Sequence, residues 1–225
     1  MKPLNLYKLP EFPRTSHLPW RPNAQQGDVV ADEADVIFKL PHVYLEEKID
    51  GSSVGMALID GHPVIRNRDH ILNKGFQKNT PAKRQFVSIW GWFYDHREFF
   101  EALEDAYPNA SVYGEWMIAQ HGLEYDLLPA WFIAYDIYDY AEGQFVRTDK
   151  ARSILLSCGF SLPPLLCTGP LENYPHIEEF TIQPSPFTTK GLREGVYIKV
   201  SRDNKWVTDR FKMVRQGVCP GWIVG

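Results

Sequence analysis

Cysteine is scarce in this chain of 225 residues: there are three, Cys158, Cys167 and Cys219, far from any zinc-ligand spacing. That usage excludes a disulfide scaffold and a cysteine-rich metal site, and it leads to the expectation of a reduced, cytoplasmic protein. Long apolar runs are missing too. The segment Met1 to Trp20 is punctuated by prolines and has no apolar core, so neither a signal peptide nor a membrane span is expected. No Gly/Ser linker, repeat or low-complexity tract divides the chain, and one domain over residues 1–225 is expected. The absence of a Gly-Lys dipeptide removes a P-loop nucleotide site. Positive charge is in deficit as well, and a net charge of −4 argues against a protein that coats DNA.

Apolar and aromatic side chains are plentiful, at 44% and 14%, enough for one sizeable core. Their arrangement favours short strands: Val43 to Ile49, Ser53 to Ile59, Val64 to Arg66, Ser111 to Met117, Trp131 to Tyr138, Val196 to Val200 and Arg210 to Val214. Asp60-Gly61 is a hairpin signal between the second and third of these. Two helices are expected. Phe86, Ile89, Trp90, Phe93, Phe100 and Leu103 form a helical stripe between Pro81 and Tyr107, read as core packing, and Thr148 reads as the N-cap of a helix through Leu156 that ends at Gly159. Strands that outnumber helices and are joined by turns predict an α+β fold with mixed or antiparallel sheets.

The chemistry centres on Glu46-Glu47-Lys48-Ile49-Asp50-Gly51, where a lysine ends a strand pattern just before an Asp-Gly turn, beside an antiparallel hairpin. A lysine amine is a nucleophile once deprotonated, which a partly desolvated, cationic setting promotes. Downstream come Arg66-Asn67-Arg68, then Tyr113-Gly114-Glu115-Trp116, Phe132-Ile133-Ala134-Tyr135-Asp136-Ile137, Glu194-Gly195-Val196-Tyr197-Ile198-Lys199 and Arg210-Phe211-Lys212. In this order the series resembles the motifs of the covalent nucleotidyltransferases, the superfamily of nucleic-acid ligases and mRNA capping enzymes, from Glu46 to Lys212. Upstream, Phe12-Pro13-Arg14-Thr15-Ser16-His17-Leu18-Pro19 resembles the lead-in of bacterial and phage RNA ligases. The chain is therefore identified as resembling the ATP-dependent RNA ligase family. The resemblance implies a nucleotidyltransferase (adenylation) domain of two packed, mainly antiparallel sheets with flanking helices and the nucleotide in the cleft between them. It also implies an enzyme that joins 5′-phosphate to 3′-hydroxyl ends of RNA, or of mixed RNA/DNA, through a lysyl-AMP intermediate, using ATP and Mg²⁺ or Mn²⁺.

Residue by residue, the resemblance makes Lys48 the nucleophile on the α-phosphorus of ATP, a role closed to arginine. Asp50 and Gly51 would set the turn that presents the amine. Glu47 would read the adenine amino edge, or is a surface carboxylate, and Ile49 joins the nucleotide-binding set. Ser53 stands where DNA ligases carry arginine, with a contact to ribose implied. Arg66 would clamp phosphate or ribose with its planar fork, while Arg68, two residues on, is either a second clamp or a surface charge. Glu115, after a glycine that lets the backbone close in, would accept from a ribose hydroxyl, and Tyr135 would stack on adenine. Glu194 would hold the divalent metal. Lys199 would bond the α-phosphate, although five residues place it on the opposite side of an ideal strand from Glu194. Lys212 would neutralise phosphate charge and help Lys48 lose its proton, with Arg210 standing where the family shows a lysine.

From Lys190 to Arg215 eight Lys/Arg face three acids, a local charge of +5 read as a phosphate-facing groove rather than a lysine-guarded edge strand. Thirteen residues follow Lys212, so no C-terminal oligonucleotide-binding domain is expected, which argues against a capping enzyme. Gly51-Ser52-Ser53-Val54-Gly55 matches the serine-hydrolase elbow, but a strand rather than a helix is expected after it. A DNA ligase-like adenylyltransferase and an inactive nucleic-acid-binding remnant are the alternatives. Oligomeric state is not readable.

Overall fold

A computed structural model describes residues 8–20, 23–73 and 84–218. Pro81 and Cys219, and the Met1 end of the N-terminal segment, lie outside the described residues. The chain divides into two compact units, residues 1–12, 51–119 and 130–162 in the first and residues 13–50, 120–129 and 163–225 in the second. The architecture is α+β with two mainly antiparallel sheets, as expected, and the described residues contain five helices. None of the described helices is long and apolar enough to cross a membrane.

The first unit carries β3 (Ser52–Ile59), β4 (His62–Asn67), β5 (Ile71–Leu72), β6 (Ala110–Trp116), β7 (Phe132–Asp139) and β8 (Gln144–Phe145), in the sheet order β5-β4-β3-β6-β7-β8. Every pair is antiparallel. Asp60 and Gly61 make the β3–β4 hairpin with φ of 51° and 73°, the left-handed pair that matches strand twist. The expected single helical stripe is instead two helices, α2 (Ile89–Asp95) and α3 (Arg97–Ala106), broken at His96 with φ −121° and ψ 27°. Their aromatic faces build the core: Phe93 stacks on Phe100 at 4.0 Å, and Trp92 meets Trp116 and Phe132 edge-on at 5.8 and 5.4 Å. Helix α4 (Thr148–Ser157) begins one residue earlier than a Thr148 cap requires. Thr148 is its first residue, and the capping position belongs to Arg147, whose side chain binds Asp149 rather than an amide. The helix ends where expected, the Gly159 amide turning back to the Leu156 carbonyl at 3.1 Å.

The second unit carries β1 (Ser16–His17), β2 (Val43–Lys48), β9 (Leu165–Thr168), β10 (Gly195–Val200) and β11 (Asp209–Val214), ordered β1-β11-β10-β2-β9, with helices α1 (Val36–Lys39) and α5 (Tyr174–Thr181). Only β1–β11 is parallel. Register decides which side chains share a face. Lys48 opposes Gly195, Glu46 opposes Tyr197, and Tyr44 opposes Lys199, while Lys199 and Tyr197 oppose Arg210 and Lys212 on β11. One face therefore bears Glu46, Lys48, Lys199, Arg210 and Lys212. The other presents Leu45, Val196, Ile198, Phe211 and Met213 to the apolar core with Leu18, Ile37 and Ile177.

Candidate active site

Lys48 is the last residue of β2, and its Nζ donates to both carboxylate oxygens of Glu194 at 2.7 and 2.6 Å. The Glu194 side chain is 1% exposed and that of Lys48 is 21% exposed. Glu194 stands one residue before β10, outside the alternation that separates it from Lys199 in an ideal strand, and so reaches the face that holds Lys48. Burial, first of all, holds the Glu194 carboxyl above the usual carboxylate range, against the pull of Lys48.

Two further cations of this face, Lys199 and Lys212, are each matched by an acid of the same unit. Lys199 is buried and meets Glu46 at 2.8 Å, and Lys212 meets Asp28 at 3.1 Å. Glu47 points the other way, because neighbouring residues of a strand take opposite faces. Its buried carboxylate lies 3.4 Å from Arg193, and burial raises its pKa despite that partner. Arg193 also donates to the Phe180 and Pro184 carbonyls at 2.9 and 3.0 Å. Ile49 is buried at 5% exposure.

Asp50 differs from the expectation. It accepts from the Gly122 and Leu123 amides at 2.7 and 3.2 Å and lies 3.9 Å from His121, while its own amide donates to the Tyr125 hydroxyl at 3.0 Å. The carboxylate thus anchors residues 121–125 rather than closing a hairpin. Asp50-Gly51 is where the chain leaves the sheet of β2 for that of β3. Gly51 has no left-handed φ; it is required by crowding, since a Cβ there would stand 2.6 Å from Met117 Sδ and 3.0 Å from the Trp116 carbonyl.

A second cluster lies on the sheet of the first unit. Ser53 opposes Glu115, and Gly55 opposes both Arg66 and Tyr113, so these side chains share a face. The β6–β7 register slips between Tyr113 and Gly114, leaving Tyr135 as the unpaired residue of a bulge. Bulges re-aim side chains. Here the Tyr135 hydroxyl meets Ser53 Oγ at 3.0 Å, and its ring meets Phe12 edge-on at 5.2 Å. The close approach expected at Gly114 is present, since a side chain there would fall on the Ile133 carbonyl and the Phe132 ring. Arg66 is occupied within its own unit: its guanidinium donates to the carbonyls of Asn67, Leu9 and Arg68 at 3.0, 2.9 and 3.0 Å, with Glu11 at 3.5 Å. Ser53 lies inside a strand, as the argument against a hydrolase elbow expects.

The basic segment, read as a phosphate-facing groove, holds most of its cations in ion pairs. Five of its eight cations have carboxylate partners: Lys190 with Glu124, Arg193 with Glu47, Lys199 with Glu46, Arg202 with Asp209 and Lys212 with Asp28. Four of those acids come from outside the segment and draw its formal charge from +5 down to +1. Sequence reasoning also missed Glu46, His121, Tyr125, Asp28 and Arg193. Strand alternation could have found Glu46, since it places that residue on the face of Lys48.

The site thus pairs a half-buried lysine amine with a buried carboxylate, on a sheet face shared with Lys199, Arg210 and Lys212, in an α+β frame of two sheets. The model of the RNA ligase family matches residues 41–214, most of the chain, and the chain belongs to that family. Among solved structures it is similar to a Naegleria gruberi RNA ligase with pyrophosphate, at 19% identity and a TM-score of 0.60 over 80% of this chain and 52% of that one. A variant of the Naegleria gruberi ligase with ATP and Mn matches at 22% identity and a TM-score of 0.59, over 77% and 50% of the two chains. Another variant, with AMP and Mn, matches at 17% identity and a TM-score of 0.59, over 92% and 56%. At such identities the likeness is one of fold, and the chain spans about half the length of these ligases. Comparison with the curated proteins gives no match.

Proposed function

We propose that the chain is an ATP-dependent RNA ligase that works through AMP held covalently on Lys48. The observation that carries this reading is the Lys48 amine, bonded at 2.6 and 2.7 Å to a buried carboxylate on a sheet face shared with Lys199, Arg210 and Lys212. Lys48 Nζ forms a bond to the α-phosphorus of ATP as the bond to pyrophosphate breaks, and its proton leaves to solvent. AMP then passes to a 5′-phosphate, and a 3′-hydroxyl displaces it to join the ends. Family membership supports RNA ends, with mixed RNA/DNA ends also admitted.

Glu194 fits the role of metal holder. Among the described residues no group of three or more His, Cys, Asp or Glu could hold a metal, but Mg²⁺ needs only one or two carboxylates with substrate phosphates and water. Bound there, Mg²⁺ or Mn²⁺ supplies charge neutralisation for the departing pyrophosphate. Lys48 becomes nucleophilic only once its ammonium form has given up a proton to solvent and Glu194 has released the amine. Lys199 and Lys212 then steady the negative charge of the phosphates, each after leaving its own carboxylate. For Ser53, Glu115 and Tyr135, ribose and adenine contacts remain the reading. Arg66 serves as a clasp for its own backbone before any contact to nucleotide.

The test is incubation with 5′-phosphorylated RNA, ATP and Mg²⁺. Adenylylated RNA and a joined product are expected, and neither with a 5′-hydroxyl strand; joining of 5′-hydroxyl ends would refute the reading. The alternative of an inactive remnant draws on the pairing of Lys199 with Glu46 and Lys212 with Asp28, and AMP uptake decides between the two.

A further inference from the structure

Asp28 divides its two oxygens between fixed and movable partners. Its Oδ2 accepts from the Gln25 amide at 3.0 Å and lies 3.1 Å from His17 Nε2, while Oδ1 accepts from Lys212 Nζ at 3.1 Å. His17 is held in turn by its backbone, whose amide donates to Val29 at 2.7 Å and whose carbonyl accepts from Ala31 at 2.9 Å, and it stands opposite Lys212 in the β1–β11 ladder. Its ring is buried, and Nδ1 has no hydrogen-bond partner. Burial and the nearby Lys212 charge keep His17 below its ordinary pKa, so it is neutral and its Nε2–H donates to Asp28. Burial alone would raise the Asp28 carboxyl, but the Gln25 amide, Lys212 and His17 bring it down to about 2. The carboxylate is therefore charged and tethered through one oxygen. Lys212 hangs from the other by a single bond on a flexible stem.

We propose that Asp28 is a resident counter-anion that stands in for phosphate at Lys212, and that a nucleotide phosphate must displace it to engage the lysine. Asp28 is a positioning residue in this scheme: it acts through Lys212, lowering affinity for phosphate-bearing ligands and reclaiming the lysine when they leave. The idea rests on the reading of Lys212 as a phosphate contact.

The experiment is calorimetric titration of the full chain with α,β-methylene ATP and Mg²⁺, which cannot form the adduct, and with uncharged adenosine. Asp28→Asn is expected to bind the analogue about two- to fivefold more tightly, the range of a part-exposed ion pair, with adenosine affinity unchanged. In a Lys212→Gln background the same change should have no effect. A purely structural Asp28 would give equal or weaker binding of the analogue in the folded variant, and that result overturns the proposal, as does equal tightening for adenosine. Asp28→Ser, which keeps an acceptor for the Gln25 amide, repeats the test if Asp28→Asn does not fold. If the wild type takes up AMP from ATP yet Asp28→Asn binds no tighter, the inference alone falls. If the wild type neither binds the analogue nor takes up AMP, the nucleotide reading falls with it.

Discussion

Replacing Glu194 by Gln removes one charge of the Lys48–Glu194 pair and keeps its shape. At an effective dielectric near 20 the gross attraction of charges so close is about 6 kcal/mol, most of it spent on desolvating the two groups. Breaking a fully buried pair by removing one partner costs about 3–5 kcal/mol. Lys48 retains 21% exposure and can regain water, and Gln still offers one oxygen in place of the two that now accept at 2.6 and 2.7 Å. A loss of about 2 kcal/mol follows, which for a chain of this size lowers the melting temperature by about 4–8 °C. Calorimetry or thermal circular dichroism reads that shift. Gel assay of AMP uptake should in parallel show a loss of at least about a hundredfold in rate, since the same carboxylate is assigned the metal. A variant that melts with the wild type and takes up AMP at the wild-type rate would refute both halves of the argument.

Arg66→Ala should cost about 2–3 kcal/mol of stability, because three backbone carbonyls lose a charged donor at once. An unchanged denaturation midpoint would show the clasp to be incidental. His17 carries a pH signature. Its pKa lies below the ordinary 6.5 in the fold, so as pH falls from 6.5 the unfolded chain takes up the proton first and stability declines until the folded value is passed. Denaturation of His17→Asn over the same window should show a shallower decline, with a residual slope from His121, whose pKa is lowered in the same direction, mainly by burial. Equal slopes in the two proteins would contradict the assignment.

What was legible in the sequence was local. Asp60-Gly61 declares its own hairpin because the two residues tolerate the left-handed φ that the turn needs. The strand patterns likewise placed Lys48, Tyr135 and Lys199 on strands within a residue or two of their observed bounds. Partnership was harder to read. Lys48 meets Glu194 across 146 residues of sequence, and only because Glu194 lies just outside its strand. Arg66 looks like a phosphate clamp until the Leu9 carbonyl, 57 residues away, takes one of its donors. The bulge that aims Tyr135 at Ser53 depends on a one-residue slip that no composition signals. Charge counting overstated the segment for a related reason, since acids distant in sequence draw it from +5 down to +1.

The central claim is that the Lys48 amine carries the nucleotide. Incubation with ATP labelled at the α-phosphate and Mg²⁺, followed by denaturing separation, proteolysis and mass spectrometry, tests it most directly. The account predicts AMP on the peptide that contains Lys48, linked through its Nζ, and no label on a folded Lys48→Ala protein. Label on another residue, or label retained by Lys48→Ala, would contradict it.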